Sequence, residues 1–105
     1  MRKGAHVNEV YLRVFADAKY TLVAVCDFGL LGETFREGKL KLEVKVDFYM
    51  GVGTSISQAL QAIDAADIAN LVGEGIVKAA IERGLVNPSA IVHIDGVPHV
   101  QIVRM

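Results

Sequence analysis

A single cysteine, Cys26, is all the sulfur chemistry of its kind that the chain holds. One thiol excludes an internal disulfide and a cysteine-built zinc site. An excess of one charge is missing as well: 11 Lys and Arg against 12 Asp and Glu leave a net charge of −1. That balance removes the electrostatic basis for a histone-like or strongly cationic nucleic-acid binder, so no DNA partner is expected. Long hydrophobic runs are absent too. The longest stretch free of charged residues, Phe48 to Ile63, carries Gly51, Gly53, Thr54, Ser55, Ser57 and Gln58. It falls short of the ~18 apolar residues that a membrane span requires. The earlier run from Val10 to Phe15 is interrupted by Arg13 and has no cleavage-like continuation. A soluble, cytoplasmic chain without a membrane partner is expected.

What is present describes one folded domain over residues 1–105. Hydrophobic residues make up 52% and charged residues 22% of the chain, which excludes intrinsic disorder. Val10, Leu12 and Val14 alternate with Tyr11, Arg13 and Phe15, and Tyr20 to Cys26 follows after Ala16-Asp17-Ala18-Lys19, as in a β-hairpin. The second strand is apolar on both faces, so it belongs in the middle of a sheet. Leu40 to Phe48 alternates most regularly of all and predicts a third strand. Gly51-Val52-Gly53 breaks it, and Ser55 with Gln58 forms a capping box for a helix over about Ser55 to Ala65. Residues 66–72 fit a buried strand or the first turns of a helix. A second helix runs from about Gly73 to Arg83, stopped by Gly84. Asp95-Gly96 joins a final hairpin. The fold class is α+β: a mostly antiparallel or mixed sheet of four to six strands with two helices on one face.

Candidate chemistry is sparse. His93 and His99 flank Asp95, but the two-residue turn pairs His93 with Pro98 and Val92 with His99, so the imidazoles face opposite sides and no metal site is expected. Pro98 lacks an amide and marks a sheet edge near the start of the last strand. Gly51-Val52-Gly53-Thr54-Ser55 lacks the third glycine of a dinucleotide fingerprint and the Gly-Lys-Ser/Thr of a phosphate loop. No cofactor is therefore expected, although free amides at the Ser55 helix terminus could hold an anion. Cys26 could be a reactive thiol, but no base or cation adjoins it in sequence; a small buried hydrophobe is the plainer reading. Thr34-Phe35-Arg36-Glu37-Gly38 reads as a polar loop in which Arg36 could hold a ligand.

Several blocks carry a family resemblance: Leu30-Leu31-Gly32, Thr34-Phe35-Arg36-Glu37-Gly38, Leu40-Lys41-Leu42-Glu43-Val44, Ala69-Asn70-Leu71-Val72-Gly73-Glu74 and Gly96-Val97-Pro98-His99-Val100-Gln101. Together they resemble a small archaeal family of uncharacterised proteins, domain of unknown function 424, over nearly the whole chain from about Tyr20. The resemblance implies an archaeal, cytoplasmic, single-domain protein and transfers no catalytic residue. It directs attention to the polar members Arg36, Glu37, Asn70, Glu74 and His99.

Two functions follow. A non-catalytic binding or assembly module, RNA- or translation-associated, suits a chain with no assembled acid/base pair or nucleophile, although its charge does not favour RNA. The alternative is a small-molecule enzyme or ligand binder in which Arg36, Asn70, Glu74 and His99 converge on one pocket. Residues 46–77 hold no Lys or Arg and four acids, a depletion that predicts homo-oligomer contacts there.

Overall fold

The computed structural model describes residues 8–104. Strands β1 (Val10–Ala16) and β2 (Thr21–Asp27) form the expected first hairpin. Its turn is held by Asp17, whose carboxylate accepts from the amides of Lys19 at 2.7 Å and Tyr20 at 2.9 Å. After a 3₁₀ turn at Phe28–Leu30 come β3 (Thr34–Glu37) and β4 (Leu40–Glu43), then a single helical turn α1 (Val46–Tyr49). Next are β5 (Val52–Thr54), α2 (Ile56–Ala65), β6 (Ile68–Val72), α3 (Glu74–Glu82), β7 (Val92–Ile94) and β8 (Val97–Val103). Six strands make one sheet in the order β5-β1-β2-β6-β8-β7, while β3 and β4 pair separately. Every pairing is antiparallel except β2 with β6 at the centre. The fold is α+β with a mixed sheet, as expected.

Both helices cover one face. Val23, Val25, Ala69, Leu71 and Val100 from the strands meet Ala59, Leu60, Ile63, Ile76, Val77 and Ala80 in the main core. Successive strand residues point to opposite faces, so Ala24, Cys26, Val72 and Ile94 look the other way, onto Leu42, Val44 and Tyr49. This second, smaller core was not foreseen. It is covered by the β3–β4 hairpin and the single turn α1 rather than by α2 and α3.

Three expectations need correction. The regular strand over Leu40–Phe48 ends at Glu43. Its alternation buries Leu42 and Val44 but leaves Leu40 and Val46 50% and 49% exposed. The backbone instead turns at Lys45, whose carbonyl accepts from Phe48 and Tyr49, and so drops Phe48 beside Phe15 with ring centroids 5.4 Å apart. The polar loop at Arg36 is strand β3, returned by a turn at Gly38 with φ +60°. The break at Val52 is an edge strand on β1. The final strand β8 lies between β6 and β7, and the edge expected of it holds near its start, at Pro98. Pro98 is tolerated because the β6 ladder stops at His99, one residue short of it. Residues 68–72, left open by the pattern, are a central strand: β-branched and apolar residues suit a position buried from both sides.

The predicted termini of the helices stand. Ser55 accepts from the amide of Gln58 at 3.1 Å. Gly84 has φ +77°, and the amides of Gly84 and Leu85 return to Ile81 and Ala80, a Schellman stop.

Candidate functional site

The central parallel pair brings two carboxyl ends together. Asp27 ends β2, and Val72-Gly73 ends β6 and leads straight into α3. In open sheets the crevice outside such ends, where a strand's connections diverge, is the usual ligand position. Gly73 holds φ +118°, and a methyl group there would collide with the Asp27 carboxylate. The carboxylate occupies the space above the start of α3 and accepts from the amides of Gly75 at 2.8 Å and Ile76 at 3.0 Å. Those two bonds favour its charged form, yet burial outweighs them, and Glu74 and Glu9 push the same way. The carboxyl is raised above its ordinary value.

Asp27, Glu74 and Asp95 all line one hollow of about 390 Å³, whose apolar wall is Leu30, Val97 and Pro98, with Gly29 and Gly96 completing it. No basic side chain lines it. Asp95 is placed by the type I′ turn, with φ +53°, and its amide donates to the Glu37 carboxylate at 2.6 Å. That bond ties the β3–β4 hairpin to the turn of β7 and β8. Among the described residues no three His, Cys, Asp or Glu side chains stand close enough to share a metal ion.

The remaining predicted residues lie apart. Arg36 pairs with Lys41 on the outer side of the small hairpin, away from the Phe35 and Leu42 side that packs inward. Asn70 pairs with Ala24 and Gln101, and His99 pairs with Val72, so both belong to the sheet face opposite the helices. Burial holds the His99 imidazole below its ordinary pKa. His93 lies on the helix side, so the two histidines do face opposite ways. Cys26 is 0% exposed, and burial, with Asp27 beside it, pushes its thiol up to about 12. Of the five polar candidates, then, Glu74 lines the hollow and Glu37 braces it, while Arg36, Asn70 and His99 do neither. Asp27 and Asp95 were missed as site residues. A strand-end aspartate followed, many residues on, by Gly-Glu-Gly at a helix start was the available signal.

The amides at the Ser55 terminus, which could have held an anion, are satisfied from within as in a plain cap. The amide of Ile56 donates to the Glu9 carboxylate at 2.9 Å, while Ser55 takes that of Gln58. Asp27 does the same for α3. Both helix starts already hold a carboxylate.

Residues 16–105 match the profile of a family described as "Protein of unknown function (DUF424)". The chain belongs to this family. A DUF424 assignment agrees with the resemblance of the sequence blocks above. The fold is also similar to the crystal structure of an uncharacterized conserved protein from the archaeon Methanopyrus kandleri. The TM-score is 0.72 at 25% identity, covering 91% of this chain and 94% of the other. No curated protein matches. No helix among the described residues is long and apolar enough to cross a membrane.

Proposed function

We propose that this protein is a non-catalytic binding module that takes a positively charged organic group into the hollow at the end of its sheet. The observation that carries this reading is the convergence of Asp27, Glu74 and Asp95 on one recess with an apolar wall and no basic lining residue. Carboxylates around an apolar wall suit an ammonium or guanidinium group that brings hydrocarbon with it. Their spacing, outside the reach of one shared metal ion, favours the larger cation. Phosphate is disfavoured at the same place, because the amides that would receive it already hold Asp27. This argues for a protein or small-molecule partner over RNA. A buried free thiol suits the reducing conditions of a cytoplasm.

Amide chemical shifts of the isotopically labelled protein, titrated at low ionic strength with agmatine and separately with inorganic phosphate, test the reading. Agmatine is expected to move the amides of Asp27, Glu74 to Ile76 and Asp95 to Val97, and Glu74→Gln with Asp95→Asn to remove the effect. Shifts driven there by phosphate instead, or an agmatine response confined to other surfaces, would overturn it.

A further inference from the structure

The acidic hollow has a neighbour. A second recess, of about 380 Å³, lies between α3 and the β7 edge and is lined by Val77, Lys78, Ile81, Pro88, Ile91 and His93. Glu74 and Pro98 line both recesses. The two recesses adjoin there and together offer a trench for an extended occupant, acidic at the strand ends and apolar along α3. The apolar half also borders an open strand edge. In the β7–β8 register the two-residue turn makes Ile94 and Val97 the hydrogen-bonded pair, so His93 and Pro98 form a non-hydrogen-bonded one. The His93 amide and carbonyl therefore point away from β8. Its neighbours on that edge are already engaged, since the Asp95 amide donates to Glu37 and the Ile91 amide to Pro88. The His93 amide is the donor left between those two engaged amides, with its own carbonyl beside it.

Resting on the cation-binding reading, we infer that the occupant of this trench is a short extended peptide segment of a partner protein, a Lys or Arg followed by a bulky apolar residue. Charge complementarity sets the first position, because Glu74 and Asp95 make no ion pair among the described residues and face a recess without a cation. Val77, Ile81 and Ile91 set the second. The lone outward His93 amide and carbonyl match one residue of main chain, which a simple alkylamine lacks.

The test compares capped tetrapeptides Gly-Arg-Leu-Gly, Gly-Arg-Ser-Gly and Gly-Glu-Leu-Gly with agmatine and octylamine by amide-shift titration. The Arg-Leu peptide is expected to bind about tenfold more tightly than the Arg-Ser peptide, as burying part of a leucine allows. Reversing the charge should abolish binding. Ile81→Ser should erase the Leu preference without changing agmatine binding, and the His93 amide should exchange more slowly with the Arg-Leu peptide bound. Equal binding of the Arg-Leu and Arg-Ser peptides, or octylamine as good as the best peptide with His93 exchange unchanged, would overturn the peptide and leave the cation site standing. Failure of agmatine and every peptide alike would remove both. The comparison among peptides needs no protein variant, so it decides even if Ile81→Ser fails to fold.

Discussion

Asp27 is under two opposed influences, and pH separates them. Its bonds to Gly75 and Ile76 favour the anion, while burial, together with Glu74 and Glu9, favours the acid and prevails. A carboxyl raised in the folded state supports folding fully below its unfolded value, near 3.8, and that support is lost as pH rises through the folded value. Asn cannot ionise and escapes this loss. The stability of Asp27→Asn relative to the parent is therefore expected to improve as pH rises from 3.5 to 7, whatever the variant loses in hydrogen bonding (pH points chosen to bracket roughly the ordinary carboxylate value). Urea unfolding across that range checks it, and a trend of opposite sign would mean that the two amide bonds dominate. Its chain neighbour Cys26 makes a second prediction at this scale. With its thiol pushed up to about 12 and its side chain enclosed, a disulfide reagent at neutral pH should label it only as fast as the domain opens. Immediate stoichiometric labelling of the native protein would contradict the packing around it.

At the scale of elements, the two ends of α3 use glycine differently. Gly84 has φ +77° with open space around it, so Gly84→Ala meets only the backbone penalty of about 1 kcal/mol. Gly73 has φ +118° and Asp27 in contact, so Gly73→Ala adds a collision to the strain and should cost at least about 2 kcal/mol. Paired denaturant titrations should show the larger loss at Gly73; equal midpoints would mean that the Asp27 cap yields easily. Elements set by local chemistry were readable from the sequence: the Ser55 cap, the Gly84 stop, the Asp95-Gly96 turn and the register it imposes. Elements decided by tertiary packing were not. The alternation over Leu40–Phe48 is genuine through Val44, but the second sheet face needed an aromatic cover, and turning at Lys45 supplies it. The site was legible by halves for the same reason. Glu74 stood out as a polar member of the blocks that carry the family resemblance, whereas Asp27 and Asp95 acquire meaning only when a parallel pairing of β2 with β6 brings their ends to one place.

At the scale of the whole molecule, residues 46–77 expose an edge that its counterpart does not. The β7 edge is narrowed to His93 by the bonds of Asp95 to Glu37 and of Ile91 to Pro88, but β5 carries Val52 at 63% exposure, with Val46 and Met50 also exposed nearby. Unprotected apolar edges invite pairing. We expect a reversible dimer through this region, seen as a rise in mass with concentration in sedimentation equilibrium and abolished by Val52→Lys. A monomer unchanged across the micromolar range would exclude it. The parallel centre of the sheet has a consequence of a different kind, for the speed of folding. Leu22 pairs with Ile68, nearly half the chain away, and no short hairpin can deliver that contact. The chain must lose the entropy of a long closed loop before β6 finds β2, and only then can β8 and β7 add outside it. Refolding should therefore be slow for a protein of this size, in milliseconds to seconds. Substitutions at Val25 or Leu71, in the middle of that pairing, should slow folding more than they hasten unfolding.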